Sequence, residues 1–145
     1  MKKLFLFTSV LLICVFGTQA FAQEHYNEGP VWRVVLWKVM PGKLNPFLAD
    51  TREHLKPIYE EWKKQGMIQD YRVYLNSASS GSQDWDVAFA FQVKNFAALD
   101  GFTAKADEVA IKHFGSKESR QEAINRRVAL AEVVLSRLMR EITLK

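Results

Sequence analysis

The sequence predicts an α+β fold in which helices cover one face of a four-stranded antiparallel sheet. Residues 85–93 alternate at period two, as in a strand with two different faces. The bulky side includes Trp85 and Phe89, which can anchor a core. The other side carries Ala88 and Ala90, which leave room for another surface or molecule. The predicted elements follow the order strand, helix, strand, strand, helix, helical segment, strand, which is the split β-α-β plan.

The first 22 residues have the features of a secretory signal peptide. Lys2 and Lys3 precede an apolar run over residues 4–16, and a small-x-small cleavage site ends at Ala22. We expect cleavage after Ala22 and a periplasmic or secreted mature protein. The apolar run is short for an uncleaved membrane anchor, so we expect no membrane association after cleavage.

Composition excludes several classes of function for the mature chain. The only cysteine of the sequence, Cys14, falls within the apolar run of the signal peptide, so the mature chain has no cysteine for disulfide or thiolate chemistry. The formal charge is +4 for the whole chain of 145 residues, and loss of the two amino-terminal lysines leaves +2. This near-neutral charge gives no support to nucleic-acid binding. The chain also contains neither a Gly-x-Ser-x-Gly motif nor a glycine-rich phosphate loop.

The first half of the domain is predicted as a strand followed by a kinked helix. Residues 23–30 are polar and end in Gly-Pro, which predicts a flexible lead-in to a domain over residues 31–145. Residues 31–39 are rich in β-branched and aromatic side chains and predict the first strand. Asn45 is the expected N-cap of a helix that is kinked or broken at Pro57.

The second half is predicted to complete the sheet with two helical segments between its last strands. The elements, in order, are a strand at residues 67–76, a loop at 77–83, a strand at 84–93, a helix capped by Asn95, a helical segment at 117–131 and a strand at 133–144. Gly101 weakens the first of these helices, and helical structure is expected to lapse around Gly115.

Two stretches of the chain resemble a known group of domains. They are Lys38-Val39-Met40-Pro41-Gly42-Lys43, Phe47 and His54-Leu55-Lys56-Pro57-Ile58-Tyr59, and then residues 85–93 followed by Asn95-Phe96-Ala97-Ala98-Leu99. The first stretch is similar to the start of NIPSNAP-type domains of the dimeric α/β-barrel superfamily, which also includes the EthD-like and antibiotic-biosynthesis-monooxygenase groups. The second is similar to that superfamily's passage from the third strand to the second helix. The resemblance implies a ferredoxin-like domain that forms a homodimer, in which two sheets face each other around a ligand cavity.

Two histidines are candidates for chemistry. His54 lies three residues before Pro57, where a kink could turn it toward the sheet as a general base. The alternative is a half-buried histidine bonded to a carboxylate such as Asp50 or Glu53. His113 is the position at which a haem could be held, as in some barrels of the resembled group. Its alternative is a surface histidine, and no cofactor is predicted overall.

The third histidine, His25, lies in the lead-in, and no His-x-x-x-His spacing occurs. The sequence therefore predicts no metal site.

A polar and aromatic set is expected to bind a ligand. It comprises Trp37, Tyr59, Arg72, Tyr74 and Asp86, of which all but Tyr59 are predicted on the less apolar face of the sheet. Arginine binds carboxylates in a bidentate manner, so an acidic or phenolic ligand fits such a set. The alternative is an ion pair between Arg72 and Asp86 across neighbouring strands.

Three functions are consistent with these observations. The first is an exported protein that binds a small aromatic or apolar molecule in a dimer cavity. The second is a cofactor-free oxygenase or isomerase that uses His54. The third is a structural or stress-related dimer without a ligand. Fold resemblance alone does not choose among them.

Overall fold

The chain forms a four-stranded antiparallel sheet with strand order β2-β3-β1-β4. A computed structural model describes residues 25–78, 81 and 84–145, so the predicted signal peptide and part of the loop at 77–83 lie outside the described residues. The elements are β1 (Tyr26–Val39), α1 (Leu44–Asp50), α2 (Lys56–Lys64), β2 (Asp70–Leu75), β3 (Val87–Val93), α3 (Phe102–Phe114), α4 (Lys117–Val128) and β4 (Ala131–Leu144). The structure confirms the predicted α+β class.

The sheet is longer at its β1–β4 side than the sequence predicts. β1 begins at Tyr26, which pairs with Leu144 of β4, so the prediction of a flexible lead-in is wrong for residues 26–30. The Gly-Pro pair does not end the strand, because the register shifts between Glu28 and Val31 and such irregularities accommodate proline. Gly29 is required there, since an added Cβ would lie 2.9 Å from the backbone oxygen of Glu141.

The first helical region confirms the predicted irregularity at Pro57. A π-helical turn, Thr51–Leu55, separates α1 from α2 and ends just before the proline. Proline has no N–H to donate, and its ring would collide with the carbonyl of the residue four positions earlier in a regular helix. Because α2 begins at Lys56, Pro57 lies in its first turn, where proline is tolerated and its missing N–H needs no partner within the helix. The helix begins at Leu44 without a side-chain cap, so the prediction of Asn45 as N-cap is wrong.

The second helical region is not the single helix capped by Asn95 that the sequence predicts, because it is interrupted at Gly101. The side chain of Asn95 accepts a hydrogen bond from the Ala98 N–H at 3.1 Å and caps a short 3₁₀ turn, Phe96–Leu99. Gly101, at φ +69°, separates that turn from α3, and Ser116 caps α4. None of the described helices is long and apolar enough to cross a membrane.

The helices pack on one face of the sheet and form the core there. Phe89 and Phe91 project from β3 into this core, where Phe47 and Phe102 meet them from the helices. Such aromatic contacts add to the free energy gained by burying the rings. No described element covers the opposite face, which we call the open face.

Candidate functional site

The open face contains a groove of about 600 Å³. The strand register places Ala88 of β3 between Leu36 of β1 and Tyr74 of β2, and Ala90 between Val34 and Arg72. Each alanine is only 3% exposed because larger side chains flank it. The two alanines therefore form a low floor between larger side chains, as the alternation of β3 predicts.

Aromatic side chains and a thioether form the walls of the groove. These residues are Trp32, Tyr74, Trp85 and Met139. The indole N–H of Trp32 donates to the Glu141 carboxylate at 2.9 Å, which orients the ring at the β4 side. The sequence assigned Tyr74 to a ligand set but did not predict Trp32 or Met139. Their alignment depends on the pairing of β1 with β4, which no local pattern specifies.

Trp85 lies on the opposite face from the one predicted. Its period-two assignment placed it in the core with Phe89, but β3 begins only at Val87 and Trp85 precedes the strand. The side-chain amide of Asn76 donates to the Trp85 carbonyl at 2.8 Å and to the Asp84 carboxylate at 2.9 Å. Asn76 therefore holds the segment that places Trp85 at the groove.

Asp86 lies beside the end of β1 and does not line the groove. Its carboxylate accepts the backbone N–H of Val39 at 2.7 Å and lies 3.5 Å from the ammonium group of Lys38. The expected alternative of an Arg72–Asp86 pair is not present, since Arg72 pairs with Asp70 on its own strand.

The remaining two members of the predicted ligand set lie under the helices. Trp37 packs against Phe47 with ring centroids 5.6 Å apart, so its predicted place on the less apolar face is wrong. Tyr59 is 8% exposed, and burial raises its pKa to about 12. It lines a second cavity of about 290 Å³ between the π-helical turn and the sheet, together with Tyr71 and Phe89. The structure therefore separates the predicted set and leaves Tyr74 in the groove.

His54 and His113, which were predicted as two separate sites, are in contact in the structure. Nδ1 of His54 lies 3.3 Å from Nε2 of His113, and both rings pack against Phe114 at centroid distances of 5.0 and 4.9 Å. Desolvation, and then the neighbouring His54, lower the pKa of His113, whereas Glu53 raises it. His54 lines neither the groove nor the second cavity. Asp50, one of its two expected partners, is paired with Arg127.

The surroundings of His113 do not fit a haem. Its Nε2 atom faces His54, and the adjacent cavity of about 270 Å³ is lined by polar residues such as Glu61, Gln65 and Lys112. Within residues 25–78, 81 and 84–145, no group of three or more His, Cys, Asp or Glu side chains could hold a metal ion.

Fold and site define this chain as a small α+β domain with a split β-α-β sheet and an apolar groove on its open face. The architecture is compatible with the ferredoxin-like fold. Comparison with protein-family models and with curated proteins gives no match.

Proposed function

We propose that this protein, after export, binds a small aromatic or apolar molecule in the open-face groove, and that a second copy closes the groove in a homodimer of the dimeric α/β-barrel, NIPSNAP-like type. The observation that carries the proposal is the combination of aromatic walls with a floor of two alanines. A volume of about 600 Å³ lies within the range of about 300–1,000 Å³ for small-molecule sites.

The groove lining supports a neutral ligand. The side chains of Trp32, Trp85 and Tyr74 offer flat apolar surfaces for an aromatic ring, and Met139 adds an adaptable thioether. None of the described lining residues is charged, and Asn76 and Ser77 are the polar groups at its edge. An ionic ligand would lose hydration in such a site, and Arg72, which flanks Ala90, is already paired with Asp70.

The exposure of large side chains on the open face supports a second copy as its cover. Tyr74 is 51% exposed and Met139 is 50% exposed, although both border an apolar groove. Contiguous exposed apolar surface is typical of an interaction site. A domain of this size buries a limited fraction of its surface alone, so a face-to-face dimer would add to its stability.

A fluorescence titration with N-phenylnaphthylamine, a neutral aromatic probe, tests the proposed ligand site. We expect saturable binding to the wild type and a loss of about tenfold or more in Ala88→Leu, because the larger side chain fills the groove floor. Ala104→Leu is the matched control, since it adds the same atoms to an exposed position on α3 and leaves binding unchanged.

Circular dichroism of each variant establishes that the fold is intact. Equal probe binding by Ala88→Leu and wild type would place the site elsewhere and refute the proposal.

A further inference from the structure

A pair of histidines on the helix layer has the geometry of a metal site. His54 belongs to the π-helical turn, and His113 is the penultimate residue of α3. They lie 59 positions apart in the sequence, yet two of their ring nitrogens face each other at 3.3 Å. We propose that His54 and His113 together bind a divalent transition-metal ion that prefers tetrahedral nitrogen ligation, with zinc as the reference ion.

The separation of the two nitrogens matches that expected for ligands of one ion. Zinc binds histidine nitrogen at about 2.0–2.1 Å in tetrahedral geometry, so two such nitrogens lie about 3.3 Å apart. Nδ1 of His54 and Nε2 of His113 have this separation. A metal ion of this kind would replace the hydrogen bond between the rings, and each ring would turn so that both nitrogen lone pairs converge on the ion.

Neighbouring side chains restrict both rings. Phe114 contacts the ring of His54 at 5.0 Å and the ring of His113 at 4.9 Å between centroids. Each histidine also projects from hydrogen-bonded helical backbone, so few conformations are lost on binding. Ligands held on rigid elements bind metals with better geometry than ligands on loops.

The site would be exchangeable rather than structural. The structure gives it two protein nitrogens, and no third His, Cys, Asp or Glu joins them among the described residues. Water would fill the remaining positions, whereas closed structural zinc sites use four protein ligands. His113 is exposed at the surface, which gives the ion direct access.

Zinc titration of the untagged protein, followed by isothermal calorimetry and by the NMR signals of the histidine rings, tests the proposal. We expect one equivalent to bind and to shift the signals of His54 and His113. Substitution of an outer-shell partner already weakens metal binding by about 10–100-fold, so His54→Ala and His113→Ala should each lose at least about tenfold. His25→Ala is the matched control and keeps wild-type affinity.

Each remaining outcome overturns the proposal. Zinc binding that survives in either His54→Ala or His113→Ala, with circular dichroism showing an intact fold, excludes a shared site. Binding lost only in His25→Ala assigns the metal to the amino-terminal region. Absence of binding to the wild type at millimolar zinc shows that the ring pair is only a hydrogen bond.

Discussion

The ion pair between Arg127 and Asp50 joins the last helix to the first, and its removal is expected to destabilise the domain strongly. Nε of Arg127 lies 2.7 Å from the Asp50 carboxylate, and the two side chains are only 11% and 12% exposed. Arg127→Ala would leave the carboxylate without its partner in a site largely closed to water. Breaking a buried pair in this way costs about 3–5 kcal/mol.

The same helix provides a control for the effect of losing a positive charge. Arg126 lies 3.9 Å from Glu122, and their side chains are 59% and 74% exposed. Exposed pairs of this kind contribute about 0–1 kcal/mol, so Arg126→Ala should change the unfolding free energy by less than about 1 kcal/mol. The two substitutions remove the same group from neighbouring positions and differ chiefly in burial.

Urea denaturation, followed by tryptophan fluorescence, measures both effects. With a slope of about 1–3 kcal/mol per molar urea for a small protein, loss of about 3 kcal/mol lowers the midpoint by about 1–3 M. Asp50→Ala should destabilise the domain by a similar amount. The double variant should lose less than the sum of the two single losses, because neither charge is then left buried without its partner. Equal midpoints for Arg127→Ala and Arg126→Ala would refute the reasoning.

Two further outcomes follow from the structure. Val34→Arg places a charge on the open face opposite Arg137 of β4 and across Ala90 from Arg72, and it should give a monomer in sedimentation equilibrium. Val128→Arg, at a position 59% exposed on α4, keeps the dimer. A monomeric wild type would contradict the proposed homodimer. The pKa of Tyr59 is raised to about 12 in the folded protein, compared with about 10 in the unfolded chain. The contribution of Tyr59 to the free energy of unfolding is therefore complete below pH 10 and is lost as the pH rises toward 12. The two-unit difference corresponds to about 3 kcal/mol, and Tyr59→Phe should show a correspondingly smaller loss of urea stability over that range; equal losses would contradict this assignment.

Local patterns predicted the architecture, but not the details at the ends of the strands. The alternation of bulky and small residues in β3 correctly places Phe89 in the core and Ala88 on the open face. The same alternation wrongly extends to Trp85, because β3 starts only at Val87. The Asp86 carboxylate binds the backbone N–H of Val39, a contact between distant segments that periodicity does not specify.

The candidate site was harder to predict than the fold because it depends on tertiary pairing. Trp32 and Met139 meet only through the β1–β4 register, and His54 meets His113 only when the π-helical turn packs beside α3. The sequence therefore indicated His54 and His113 as two separate candidates for chemistry but did not predict that they are in contact. Trp37 was assigned to the wrong face of the sheet, because an aromatic residue in a strand fits either face until the register is known.

The two faces of the sheet should respond differently to substitution, which makes the groove accessible to experiment. On the helix face, aromatic rings such as Phe91 and Phe102 stack at 5.2 Å between centroids, so added volume there would disturb a filled core. On the open face, the space above Ala88 is a groove rather than packed protein. A larger side chain at that position can occupy the groove without displacing the core. Loss of probe binding in Ala88→Leu with an unchanged unfolding free energy would therefore report on the site itself and not on the stability of the domain.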